Sequence, residues 1–173
     1  GMKGTKPGAT HVTGPGGRDA ARFARWYRAR ALEQWEKLDL KALSRLAALV
    51  DRAQAKGRFI WVCGNGGSAS IAAHVGCDFG KTAAVKGRKA LKTVSLADNV
   101  AFITATGNDL SFDKIFSRQL ENVVSKGDVV LLISGSGFRA FMNRYDPPKK
   151  VIYDDIEIAK EGDSETITQV SKT

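Results

Sequence analysis

The chain has 173 residues, 43% of them hydrophobic, enough for one domain with a core of its own. No apolar run approaches the roughly 20 residues that cross a bilayer, and the N-terminus lacks the basic, apolar, small-residue order of a secretory leader, so a soluble cytoplasmic protein is expected. The net charge of +9 is uneven, with 18 Lys/Arg against 6 Asp/Glu in residues 1–92 and 9 against 12 in residues 93–173; a basic half of this kind draws anions, but no zinc-finger spacing or aromatic-basic sheet motif accompanies it, so nucleic acid ranks last among the partners.

Residues 3–17 combine Gly, Pro and Thr with little apolar content, and a flexible tail is predicted over 1–18. From Asp19 onward Phe23, Tyr27, Ala31, Trp35 and Leu38 recur at helical spacing, leaving Arg22, Arg25, Arg28 and Lys37 for the opposite face. A second helix, capped by Asp39 and stopped by Gly57, carries Leu43, Leu46, Leu49, Val50 and Ala53. Three short apolar runs follow, Phe59–Cys63, Leu91–Leu96 and Asp128–Ser134, the last nearly all apolar as in a strand covered on both faces. Between the last two, Phe112, Ile115, Phe116, Leu120, Val123 and Val124 return to helical spacing until Gly127. Strands alternating with helices predict an α/β fold with a doubly wound parallel sheet, whose ligands sit beyond the carboxyl ends of the strands. Cys63 and Cys77 fall in segments that read as buried, and with no CxxC spacing they read as small core residues in a reducing compartment.

Two strand-end loops carry the chemistry. After the first strand, Gly64-Asn65-Gly66-Gly67-Ser68 runs straight into a helix, whose unpaired first-turn amides favour an anion or a polyhydroxylated ligand; a tight turn would need the glycines for steric reasons alone. After the third strand comes Ser134-Gly135-Ser136-Gly137, where two hydroxyls and several unhindered amides can surround one phosphate. No Gly-Lys-Ser/Thr follows, and neither loop spells a dinucleotide fingerprint, so nucleotide hydrolysis is disfavoured. On the helix after the first loop, His74 and Asp78 are four residues apart and share a face. Such a pair can ligate zinc, can exchange protons with a sugar held above it, or can be a structural hydrogen bond.

Together these elements resemble the sugar isomerase (SIS) domain family, and within it the phosphoheptose isomerases. The resemblance is carried by GNGGSASIAAHVGCD at residues 64–78 and by TVSLADNVAFITATGNDLSFDKIFSRQLENVVSKGDVVLLISGSG at residues 93–137, read as a second strand, a Gly-Asn-Asp turn, the Phe-Ser-Arg-Gln helix and a Ser-x-Ser-Gly phosphate loop. It implies an SIS domain over residues 19–137, a three-layer flavodoxin-like sandwich together with the two leading helices that build a homotetramer in the family. It further implies that Ser134, Gly135 and Ser136 hold a phosphate, and that Asn65, Gly66, Ser68 and Asp98 orient sugar hydroxyls. By the same resemblance His74 and Asp78 are zinc ligands and catalytic groups, Asp78 standing where the family usually has a glutamate, one methylene longer. The implied reaction turns sedoheptulose 7-phosphate into a manno-heptose 7-phosphate through an enediol.

Residues 138–173 depart from that pattern. The family continues with an Asn-Ser-Pro segment, two strands and a helix bearing a glutamine and a histidine, whereas this chain reads FRAFMNRYDPPKKVIYDDIEIAKEGDSETITQVSKT, and its two histidines are His11 and His74. VIYDDIEI is expected to supply one more strand. A truncated or divergent C-terminal segment lacking the second histidine leaves an alternative to the enzyme: a non-catalytic binding module, either a sugar-phosphate sensor or an adaptor like the replication-initiator-associating members of the family.

Overall fold

The computed structural model describes residues 14–17 and 19–135, together with the backbone of 155–161 and 164–170. The predicted tail at 1–18 lies almost wholly outside these, as do Ser136, Gly137 and most of 138–173. The chain divides into two compact units, Gly1–Leu38 and Asp39–Thr173.

The first unit holds helix α1, Ala20–Glu36, capped by the Asp19 carboxylate, which accepts from the Arg22 amide at 3.0 Å. The predicted apolar stripe forms, with Phe23 stacked on Tyr27 and tilted against Trp26, yet no residue of α1 is buried and Trp35 is 72% exposed. On the polar side Glu33 accepts from both Arg30 and Lys37 at 2.7 Å, and those two bonds, the lysine's first, hold its carboxyl below the usual range.

In the second unit, α2 (Leu40–Lys56) begins at Asp39, whose carboxylate accepts from the Lys41 and Ala42 amides, and ends at Gly57 with φ 65°. Strand β1 (Phe59–Gly64) leads to α3 (Gly67–Cys77), and α3 runs on into a π-helical turn, Asp78–Thr82. Then come β2 (Lys92–Ser95), α4 (Val100–Asp109), a 3-10 turn (Phe112–Lys114), α5 (Ser117–Val123) and β3 (Val129–Ile133). β1 pairs in parallel with β2 on one side and β3 on the other, as expected.

Because side chains alternate along a strand, β1 feeds two separate cores. Ile60 and Val62 pack with Ala53, Ala72, Val129 and Leu131 on the α2/α3 face, while Trp61 and Cys63 pack with Leu96, Ile115, Phe116 and Leu120 on the α4/α5 face. Three layers result. Burial pushes the Cys63 thiol far up, which makes it an inert packing residue. Asp128 ties the entry of the sheet together: buried just before β3, its carboxylate accepts from the Phe59 amide and the Trp61 indole at 3.0 Å and from the Ser125 amide at 2.9 Å.

Several sequence expectations need correction. The helical spacing over 112–124 breaks into the 3-10 turn and a short α5, and the Gly-Asn-Asp segment 107–109 forms the last turn of α4, a helix capped by Asn99 that hydrophobic spacing did not reveal. Cys77, the last residue of α3, is exposed rather than buried. The sheet is mixed at its far edge, with order β2-β1-β3-β5-β4. There β4 (Asp155–Glu161) and β5 (Ser164–Val170) form an antiparallel pair, and β5 runs antiparallel to β3, giving two strands where one was expected.

Candidate functional site

The register of the parallel strands decides where the loops meet. Gly64 pairs with Ile133, so Asn65 and Ser134 leave the sheet from the same rim on adjacent strands, about 5 Å apart at that point. On the other side Val62 pairs with Ser95, which brings the turn from Leu96 to Asp98 to that rim as well. Of the candidate ligand residues, Asn65, Gly66, Ser68, Asp98, Ser134 and Gly135 are therefore gathered at the carboxyl ends of three neighbouring strands, and Ser136 lies outside the described residues.

The first loop is shaped by steric demand. A Cβ on Gly64 would overlap the Ser68 carbonyl and stand 3.0 Å from the Ala69 nitrogen, so α3 can start this close to β1 only above a glycine. Gly66, the N-cap, has φ 59° and ψ −125°, a conformation that L side chains avoid. It contributes no side-chain cap, and α3 has no acidic residue in its first turn, so nothing acidic on the helix competes with an anion for the amides of the Gly66-Gly67 turn. Ser68 and Ala69 donate their amides back to the carbonyls of Asn65 and Gly66 at 3.1 and 3.0 Å, which closes the turn.

The β2 loop is held by the glutamine of the Phe-Ser-Arg-Gln segment, to which the motif reading gave no role of its own. Gln119, buried on α5, donates from Nε2 to the Leu96 carbonyl at 2.9 Å and to the Ile115 carbonyl at 2.8 Å. The Leu96 amide donates to the Val62 carbonyl at 2.8 Å, and the Ala97 amide to Ser95 Oγ at 3.2 Å. Asp98 thus projects, exposed, from a turn anchored on both sides. Its signal in the sequence was its place in the Phe-Ser-Arg-Gln segment and a polar side chain at an otherwise core-facing position of α5. Beside this turn an open groove of about 630 Å³ runs between α3, at Gly76 and Cys77, and β2, at Thr93 and Ser95, and reaches Asp98 and Asn99.

His74 and Asp78 do share a face, with Nε2 and Oδ2 3.6 Å apart and side chains 78% and 48% exposed. Asp78 Oδ1 accepts from the Thr82 hydroxyl at 3.2 Å. At roughly 1.5 Å per residue, His74 stands about 10 Å along the helix from Gly67 and Asp78 about 16 Å, so the pair lies two to three turns beyond the Gly64–Gly67 loop. As a zinc centre the donor set is incomplete. The pair offers one nitrogen and one carboxylate, a catalytic zinc takes three protein ligands, and among the described residues no cluster of three His, Cys, Asp or Glu forms. His74 and Asp78 do not by themselves fit that metal.

Comparison with known proteins is consistent with this geometry. Residues 26–144 match the family model for the SIS domain. A phosphoheptose isomerase from Bradyrhizobium sp. is 36% identical over 119 residues, covering 68% of this chain and 59% of the relative, and one from Pelobacter propionicus is 42% identical over 92 residues, covering 53% and 48%. Among solved structures, phosphoheptose isomerase GmhA from Neisseria gonorrhoeae superposes with a TM-score of 0.60 at 33% identity, covering 72% of this chain and 63% of its own. A phosphoheptose isomerase from Francisella tularensis gives 0.59 at 29%, covering 70% and 62%. The chain spans about half the length of the curated relatives it matches.

Proposed function

The chain belongs to the SIS domain family, and from that premise we propose that it binds a sugar phosphate at the rim shared by β1, β2 and β3 and isomerises sedoheptulose 7-phosphate to a manno-heptose 7-phosphate. The observation that supports this reading is the Gly64–Ile133 register, by which the loop carrying the Gly66 and Gly67 amides and the loop carrying the Ser134 hydroxyl leave the sheet from one rim. In this reading those amides and hydroxyls, with Ser136 beyond the described residues, take the phosphate, and Asn65, Ser68 and Asp98 bind hydroxyls along the carbon chain.

Ketose-to-aldose conversion needs a group that removes a proton from C1 while the C2 carbonyl oxygen gains one, and then the return of a proton to C2 of the enediol while its O1 hydroxyl gives one up to become the aldehyde oxygen. The Asp78 carboxylate is assigned the carbon proton and the His74 imidazole the oxygen proton, since they are a base and a donor on one face, 3.6 Å apart. The bound sugar would cover both and exclude water from the transfer.

The same reading makes α1 part of a homo-oligomer, a tetramer by family resemblance, because Phe23, Tyr27, Leu32 and Trp35 are at least half exposed on one helix. No described helix is long and apolar enough to cross a membrane. The free thiols of Cys63 and Cys77 support a reducing, cytoplasmic setting.

The deciding experiment follows sedoheptulose 7-phosphate by NMR with the full chain in deuterated water. Conversion with deuterium entering at C2 is expected. Tight binding with neither conversion nor exchange would replace the isomerase with a sugar-phosphate-binding module.

A further inference from the structure

We propose that Thr82 is a positioning residue for the Asp78 carboxylate, set in place by the π-helical turn that follows α3. The turn spans Asp78–Thr82 and closes where the Ala83 amide donates to the Asp78 carbonyl at 2.7 Å. Threonine hydroxyls near helix ends commonly bond back to the carbonyl four residues earlier. Here that carbonyl is already engaged by Ala83, and the Thr82 hydroxyl donates instead to Asp78 Oδ1 at 3.2 Å. The second oxygen, Oδ2, faces His74 Nε2 at 3.6 Å.

One carboxylate oxygen is thereby bonded by a residue one turn after it, while the other faces a residue one turn before it. At 3.6 Å His74 is beyond hydrogen-bond reach, so the Thr82 hydroxyl is the side-chain hydrogen bond that orients this carboxylate, and an aspartate has one fewer side-chain torsion for that bond to fix than a glutamate has. Wide π turns inside helices recur at functional sites, and this one begins at the residue assigned the carbon proton. A hydroxyl on an exposed helix end adds little to folding, so its effect is expected in the orientation of the base. The inference rests on the isomerase reading for its activity test, and a second measurement separates the two.

The test compares the full wild-type chain with Thr82→Val, which keeps the shape and removes the hydroxyl, and Thr82→Ser, which keeps the hydroxyl. With sedoheptulose 7-phosphate, Thr82→Val is expected to lose roughly tenfold in kcat with KM nearly unchanged, and Thr82→Ser to recover most of it. Wild-type kcat in Thr82→Val, or a change confined to KM, overturns the proposal. If the wild-type chain itself converts nothing, the isomerase reading fails on its own, and crystal structures of ligand-free wild type and Thr82→Val decide the positioning role. An Asp78 carboxylate in one orientation in the wild type and in several in the variant supports it; a single shared orientation overturns it.

Discussion

Gly64 and Ile133 are partners across parallel strands β1 and β3, and that pairing makes Asn65 and Ser134 the first residues beyond a common rim. A register slip of one residue would turn the core-facing side chains of one strand to the wrong face, so the same burial that holds the sheet also holds the loops together.

Gly64→Ala tests the close approach of α3 to β1. The added methyl meets backbone at Ser68 and Ala69, which no rotamer change relieves, so a loss of about 1 to 3 kcal/mol in stability is expected. Thermal melting with and without a sugar phosphate checks it: the variant should melt lower and lose most of the ligand-induced rise.

Ser134→Ala should weaken sugar-phosphate binding by about 1.5 to 3 kcal/mol, the range for a hydrogen bond to a charged group. Calorimetric titration with sedoheptulose 7-phosphate reads this directly, with inorganic phosphate as competitor. An unchanged affinity would remove Ser134 from the phosphate site.

Asp128→Ala strands three donors at the start of the sheet, the Phe59 and Ser125 amides and the Trp61 indole. Leaving buried donors unpaired costs about 1 to 3 kcal/mol each, and a total of about 3 kcal/mol or more should appear in urea unfolding. Asp128→Asn should be almost as damaging, because its amide nitrogen would face further donors.

The N-cap of α2 predicts an acid limb in stability. The Ala42 amide, and then that of Lys41, hold the Asp39 carboxyl below its ordinary value. A carboxyl whose pKa falls on folding contributes stability above its unfolded pKa and loses it as pH drops through the folded one. Helix content followed by circular dichroism should therefore fall more steeply in acid for the wild type than for Asp39→Asn, which still caps but does not titrate.

Zinc should bind the chain loosely. Two exposed donors at His74 and Asp78 give a weak site, so metal analysis after dialysis is expected to find well below one zinc per chain. A full retained equivalent, lost in His74→Ala, would place the remaining ligands beyond the described residues.

Much of the architecture was legible from pattern. Asp39 and Gly57 bracketed α2, three apolar runs located the parallel strands, and the Gly-rich junction after Cys63 marked the start of α3, since capping and hydrophobic periodicity are local properties. α4 was hidden because its start depends on one Asn99 cap and its hydrophobic spacing is weak. The break between Phe112 and Val123 was hidden because Ile115 and Phe116 are buried together, which serves a 3-10 turn as well as a helix.

By itself the sequence determined which residue types stand at each strand end, and so the chemistry on offer: unhindered amides, serine hydroxyls, a histidine and a carboxylate one turn apart. Only the tertiary structure decided that the loops after Gly64 and Ile133 share a rim, that Gln119 anchors the turn before Asp98, and that the Thr82 hydroxyl bonds the Asp78 carboxylate. Those facts depend on strand register and on contacts between residues distant in sequence or across an irregular turn, and no local periodicity encodes them.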